Sequence, residues 1–429
     1  MVDVKRRLFC LATAVAFTVL AGEAGAAEKG GPGLTGDWSG LRPQLAQDGI
    51  VFDLNLVFEG AYNPAGGERS RAQQAGQLSL GATGDLDKLL GIPDAKLKLV
   101  VTKREGNDLG ADAGLNTLQQ VQEVYGRGNI WRLTELSYEQ GFANDVVDLK
   151  FGRVNPGSDF AMFSCDFENL TFCGAAPGNI AGDYWMNSPV SQWGARLKVY
   201  VAKGVYMQAG AYQIDRTDQE NGRGFSLSAE GGRGTLIPAE FGWYPSSKLP
   251  GSYKLGGWYK TGHESDPFLD INHRPQAITG DPALQRDGSF GAYVNFQQQV
   301  TGADGGDRGL TLFLNGLVAD PRTVELDRQF AVGVSYAGPF EVRPQDTVAL
   351  ALGTTHVNGR VADGEAAYNE TALTQMPVQR SEYVAELDYR AQATGWLTLD
   401  PNLQLIHYPG GDETASDAVV IGLKAALKL

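Results

Sequence analysis

Sixteen short segments of this chain alternate apolar with polar residues, and the connections between them alternate long with short. Successive side chains on a strand point to opposite faces, so alternation gives a segment one oily face and one wet face. The segments start near Ile50, Gly76, Ala95, Trp131, Val146, Trp193, Val205, Thr235, Ser252, Phe290, Gly309, Gln329, Thr347, Ser381, Leu397 and Ala418. In the first, Ile50, Phe52, Leu54, Leu56 and Phe58 share a face, with Asp53, Asn55 and Glu59 opposite. The last sets Val419, Ile421, Leu423, Ala425, Leu427 and Leu429 against Gly422, Lys424 and Lys428. The segment from Ser381 sets Glu382, Glu386, Asp388 and Arg390 against Tyr383, Ala385, Leu387 and Tyr389. Soluble sandwiches alternate too, so the loop rhythm decides. Connections 104–130, 154–192, 214–234, 262–289 and 356–380 are long, whereas 141–145, 202–204 and 392–396 are short. The expected fold is all-β: a transmembrane antiparallel β-barrel of 16 strands, with long extracellular loops on one rim and short periplasmic turns on the other.

Composition fits that fold. No apolar run after residue 20 approaches the roughly 18 residues of a membrane helix, and a barrel escapes that test because half of each strand is polar. The N-terminus reads as a secretion signal over 1–26: Lys5, Arg6 and Arg7 are the basic region, Leu8–Leu20 the apolar core, and Ala24, Gly25 and Ala26 the small cleavage-site residues. Residues 27–49 precede the barrel, and Asp37–Leu45 reads as a short N-terminal helix closed by Gly49, with Pro43 confined to its first turn. The barrel itself takes 50–429, as one domain. Aromatic girdles mark the two interfaces of such barrels. Trp193 and Trp243 fall in phase with the oily face, but Trp131, Trp258 and Trp396 do not, so either the boundaries slip there or those rings face the lumen.

The formal net charge is −14 with no basic run, which argues against nucleic acid as a partner. In a channel an acidic excess would favour cations. Once the leader is removed two cysteines remain, Cys165 and Cys173, and an even pair in an oxidising compartment is expected to be a disulfide. Enzyme signatures are thin: there is no G-x-S-x-G, P-loop or dinucleotide fingerprint, and no close His pair for a metal, while the many carboxylate pairs would need a cleft to act in. His263 and His273 share a loop with Glu264, Asp266 and Asp270, where a surface ion site is conceivable, although solvated loop charges are the commoner reading. No cofactor and no metal is expected.

Loop 3, the long connection 154–192, is the candidate functional element. It carries Phe160, Phe163, Phe167, Phe172, Tyr184 and Trp185, which sit poorly in water and would be buried if the loop folded into the lumen.

Several motifs are familiar together. Leu34–Arg42 followed by Gly49-Ile50, Phe151-Gly152-Arg153 with Asp159-Phe160, the Cys165…Cys173 loop with Asn169-Leu170, Glu382…Glu386…Tyr389-Arg390, and the run from Gly395-Trp396-Leu397 to Pro409-Gly410-Gly411 resemble the OprB-type carbohydrate-selective porins. The chain departs from usual outer-membrane barrels in ending on Leu429 rather than Phe. The resemblance implies a channel in the outer membrane of a Gram-negative bacterium that passes monosaccharides, glucose especially, by passive diffusion. It implies a narrowing where loop 3 meets wall residues of opposite charge. Wall candidates from the face pattern are Glu135, Lys150, Arg196, Lys198, Glu382, Glu386 and Arg390, with Arg153 and Asp159 flanking the loop. Mixed charges supply donors and acceptors to a polyol, and aromatic faces suit its C–H surfaces. Expected partners are mono- and small oligosaccharides, outer-membrane lipid and lipopolysaccharide, and the assembly machinery. The competing readings are a general or cation-preferring porin, and a secreted β-rich sugar-binding module or enzyme.

Overall fold

Each alternating segment becomes a strand whose oily face has no protein to cover it, and sixteen of them resolve the problem by closing on themselves. The computed structural model describes residues 33–245, 248–302 and 308–429, so the leader read at 1–26 lies outside the described residues. The strands are β1 Ile50–Ala65, β2 Ala72–Asp85, β3 Ala95–Gly106, β4 Trp131–Phe142, β5 Val147–Val154, β6 Gln192–Ala202, β7 Val205–Gln213 and β8 Thr235–Trp243. They continue as β9 Gly251–Asp270, β10 Ala283–Gln299, β11 Gly309–Ala319, β12 Leu326–Ala337, β13 Thr347–Val357, β14 Ser381–Thr394, β15 Leu397–His407 and β16 Ala418–Lys428. Every neighbour pair is antiparallel in chain order, and β1 closes the barrel by pairing with both β2 and β16, for example Leu56 opposite Leu427. Closure leaves no sheet edge with unpaired backbone groups, as a bilayer requires.

Large apolar side chains stand outward and uncovered around the wall, including Leu197, Met207, Leu255, Leu352 and Ile421. In water such a band would be a liability, but against hydrocarbon it is the stabilising surface. The opposite face of the same strands is polar and points into the lumen.

Before β1, helix α1 runs Leu41–Gln47 with Pro43 in its first turn, where no helical N–H is lost. Arg42 ties it to the chain terminus, donating to the Leu429 and Phe52 carbonyls at 2.7 and 3.2 Å. Trp38 packs edge-on against Phe52. Ala46 of this helix borders the lumen at the end where the chain terminates.

Three Trp residues explain their own phase. On β4 the register shifts so that Glu135 faces Val100 and Leu133 faces Val101, leaving Thr134 as an extra residue. Such a bulge reverses the in–out sense along the strand. Thr134 and Glu135 both line the lumen as a result, while Trp131 stays on the exposed face. Trp258 points inward and is buried against Trp185 of loop 3. Trp396, in the turn before β15, borders the lumen mouth.

The expected loop 262–289 is mostly strand: β9 extends to Asp270, and β10 begins at Ala283 rather than near Phe290. This hairpin continues beyond the oily band with polar residues on both faces, so alternation no longer signals it. A helix at Gly359–Thr371 packs onto it, and Arg360 joins Arg286 on Asp266 at 2.5 and 2.7 Å. Asp270 bonds Arg274 and Thr279, and Glu264 bonds Arg216. These carboxylates are therefore engaged by arginines, and the exposed His263 pairs with Asp287.

Candidate functional site

Loop 3 leaves β5, crosses the inside of the barrel and returns to β6, and the inward side chains of distant strands hold its backbone. Its tip, Asp159–Met162, is bound by one residue from each of four consecutive strands. Gln208 on β7 donates to the Asp159 carbonyl at 2.6 Å, and Glu240 on β8 accepts the Ala161 N–H at 2.8 Å. Lys254 on β9 donates to the Met162 carbonyl at 2.7 Å, and Asn295 on β10 to the Ala161 carbonyl at 3.1 Å. Ala161 itself has φ 53, a left-handed conformation that a non-glycine residue keeps only when its surroundings enforce it.

The next stretch of the loop is fixed to the opposite wall. Glu386 on β14 accepts the N–H groups of Glu168 and Asn169 at 2.8 and 3.0 Å. Arg390 donates to the Asp166 carboxylate and carbonyl at 2.9 and 2.7 Å, and to Asp400 at 3.3 Å. Burial pushes the Asp166 carboxyl up, but the Arg390 guanidinium and the Ser164 hydroxyl outweigh it and hold the group below its ordinary range. Lys424 on β16 donates to the Phe167 carbonyl at 2.9 Å and pairs with Glu59 and Glu123 at 3.2 and 3.1 Å. The wall is thinned to admit the loop: a Cβ on Gly353 would lie 2.6 Å from Thr171, and one on Gly422 2.6 Å from Glu168. The Cys165–Cys173 disulfide closes this part of the loop into a ring.

The loop aromatics anchor rather than line the path. Phe160, Phe167, Phe172, Tyr184 and Trp185 are all buried. Trp185 meets Trp258 and Tyr293 edge-on at 5.5 and 6.2 Å, and Phe167 packs on Phe172 and Phe313. Tyr184 accepts the Trp258 indole N–H on its hydroxyl at 3.1 Å. Of the six, Phe163 alone borders the open lumen. Apolar area removed from water is what keeps a loop of this length folded inside.

The open lumen, about 2200 Å³, runs between loop 3 and a wall drawn mainly from β1–β4, β6 and β16, with Thr347, Gln392 and Thr398 reaching it from β13, β14 and β15. Glu135, Asp159, Arg196 and Lys198 line it, as the face pattern suggests. Lys150 lies behind them, buried, and bridges Glu135 and Asp159 at 3.0 and 3.3 Å. Lys98, on the β3 wall, reaches Glu135 from the lumen side at 3.0 Å. Arg196 pairs with Asp148 and lies 3.8 Å from both Glu139 and Asp159. The result is one connected chain of alternating charges from wall to loop. Amide side chains surround it: Gln119 and Gln120, with Asn155, Asn179 and Asn187 of loop 3, also line the lumen.

The other candidates lie elsewhere. Glu382, Glu386 and Arg390 are inward-facing but covered by loops rather than set along the open path. Arg153 is buried on β5 and pairs with Asp218 of loop 214–234 at 3.1 Å. Each is taken up by a loop that folds down over it.

Two participants escaped the sequence reading. One is loop 104–130, which lies inward beside loop 3 and bonds it at Glu123 N–H to Glu168 O and at Leu170 N–H to Gln120 O, both 2.9 Å. Glu382 accepts its Leu118 N–H at 2.8 Å, and Glu59 accepts its Val124 N–H at 3.0 Å. Tyr125 is its one aromatic residue before β4, so nothing in its composition announced burial. The other is Glu240, a single acid among alternating strand residues, indistinguishable in sequence from any lumen charge.

This architecture has close counterparts. The family model described as carbohydrate-selective porin, OprB family, matches residues 69–429. Porin B of Pseudomonas aeruginosa is 40% identical over 409 residues, covering 91% of this chain and 90% of its own length. A putative porin, QuiX, of Acinetobacter baylyi is 35% identical over 417 residues and covers 92% of both chains. The high-pH structure of Pseudomonas putida OprB superposes with a TM-score of 0.90 at 40% identity, covering 94% of this chain and 100% of the other.

Proposed function

The chain belongs to the OprB family of carbohydrate-selective porins, and from that premise we propose that its solutes are monosaccharides, glucose among them, moving by passive diffusion. The protein is a sugar channel of the Gram-negative outer membrane, and its fold is that of a channel rather than an enzyme. The observation that carries the finer reading is the wall-to-loop chain Lys98–Glu135–Lys150–Asp159–Arg196, flanked by amides on the open lumen. A sugar entering a narrow passage must exchange water for groups that both donate and accept. Paired Arg, Lys, Asp and Glu with Asn and Gln offer both without a strong local field. The pairing also keeps binding weak, as flux requires.

On this reading Glu135, Asp159 and Arg196 form the constriction, and Glu382, Glu386, Arg390 and Arg153 hold the loops that shape it. Residues 1–26 direct export and are removed, leaving 27–49 to seat α1 at the periplasmic rim. Small oligosaccharides are the upper limit of size. The outward band meets outer-membrane lipid and, in the outer leaflet, lipopolysaccharide, and the closing strand β16 is the element offered to the assembly machinery.

Proteoliposome swelling with a graded panel of sugars tests this. Monosaccharides should enter fastest, with a steep fall at disaccharides and beyond. Equal rates for hexoses and for neutral solutes of the same size without hydroxyl groups would contradict selectivity.

A further inference from the structure

The lumen carries the opposite sign of charge from the chain that builds it. The formal net charge of the chain is −14. Among the described residues, nine Lys and Arg side chains line the open lumen against five Asp and Glu, a positive surplus of four. The excess acid therefore lies away from the path.

Four of these nine cations are matched by a carboxylate. Lys98, Arg104, Arg196 and Lys424 each have a carboxylate within 4.0 Å. Lys198 differs. It stands on β6, two residues beyond Arg196 and on the same face, and lines the lumen. Asp148 is its cross-strand neighbour on β5, but Asp148 is paired to Arg196. Lys198 instead has its ammonium over the rings of Tyr206 and Tyr200, at 4.9 and 5.8 Å. Ring faces stabilise the cation without cancelling its charge. Walls of low dielectric concentrate such a field along a narrow aqueous path and raise the local concentration of counter-ions.

We propose that the channel also admits sugar acids, monoanionic polyhydroxy carboxylates such as aldonates and uronates, with Lys198 receiving the carboxylate while the neighbouring amides and paired charges serve the hydroxyls. The inference rests on the monosaccharide reading of the same lumen and extends it to the anionic class, against the cation preference that net charge alone suggests. A chemically simple anion without hydroxyls gains the field but not the hydrogen bonds, so the surplus charge and the polyol lining act together on one solute class.

The test loads one set of proteoliposomes with both glucose and gluconate in 0.1 M KCl, with the full-length channel inserted, and measures each solute released over time. Gluconate should leave at least as fast as glucose. Lys198→Gln should lower the gluconate-to-glucose ratio about threefold, the Boltzmann factor for one unit charge acting across ~7 Å of water, and Lys198→Arg should restore it. The same channel in a KCl gradient should give a zero-current potential of the sign that favours chloride. Release of glucose with retention of gluconate overturns the proposal and leaves the monosaccharide reading standing. So does a ratio unchanged by Lys198→Gln, or a potassium-favouring potential. A channel that releases neither solute defeats both readings.

Discussion

Glu240→Gln isolates the hold on the tip of loop 3. The native carboxylate is full: Oε1 accepts from the Tyr206 hydroxyl and the Gln208 amide at 2.7 and 2.9 Å, and Oε2 from the Ala161 N–H and the Tyr293 hydroxyl, both at 2.8 Å. A glutamine is the same size but keeps one acceptor and turns the other into a donor. If its oxygen faces Ala161, its NH2 meets the Gln208 amide, which must rotate and so give up its bond to the Asp159 carbonyl. If its oxygen faces Gln208, the backbone N–H of Ala161 has no acceptor, and unlike a hydroxyl it cannot turn to become one. Either arrangement removes a hydrogen bond at the loop tip. A buried donor left unmade costs about 1–3 kcal/mol, and Ala161 holds a left-handed φ of 53 that relaxes once released. A loss of about 2 kcal/mol raises the population of a displaced tip roughly 30-fold. The barrel does not depend on this bond, so the variant should fold and insert normally. Single-channel recordings should show more frequent excursions to higher current and a weaker reduction of current by glucose. Tyr293→Phe removes one of the donors without orphaning a backbone group and should have a smaller effect. Wild-type current, noise and sugar response in a folded Glu240→Gln channel would refute the claim that this carboxylate positions the loop.

Three further outcomes follow from the same cradle. Trp185→Ala empties the buried contact with Trp258 and Tyr293; removal of so large a buried side chain costs about 3–5 kcal/mol, and loop 3 should become open to protease while the barrel stays resistant. Mass spectrometry of unreduced protein should yield a peptide linked between Cys165 and Cys173, and Cys165→Ser with Cys173→Ser should lower loop stability by roughly 2–3 kcal/mol, the chain-entropy value for so small a ring. Asp166 is held below its ordinary pKa of 3.8, so its pairing with Arg390 contributes stability above that value and loses it as the pH falls below it. Current noise should accordingly stay flat down to about pH 4 and rise as the pH falls below 3.8, and an Asp166→Asn channel should already be noisy at pH 7 and show no further step.

The wall was readable because its physics repeats: a strand facing hydrocarbon on one side and water on the other must alternate, and all sixteen strands were located by that rule. The rule fails where its cause is absent. Beyond the oily band both faces of β9 and β10 are wet, so the stretches to Asp270 and from Ala283 looked like loop. At Thr134 one extra residue reverses the phase, and at Trp258 loop 3 supplies an apolar interior that a lumen otherwise lacks. The site was readable only in outline. Six aromatics in loop 3 announced burial, and the structure buries five of them against the wall rather than offering them to a solute. Inward charges were identifiable as inward, but Glu386 and Glu135 have the same signature in sequence. One meets loop backbone and the other open lumen, and that difference is made by the path of residues 155–191 through the barrel. Glu240 and loop 104–130 were invisible for the same reason.

The central claim is that the polar lumen beside loop 3 receives sugar while it conducts ions. Ion current through the channel in a planar bilayer, followed as glucose is added to both sides, tests it most directly. The account predicts a saturable fall in current, larger than the change that the same added viscosity produces with a non-penetrating polymer. A current that tracks viscosity alone, however high the glucose, would contradict it.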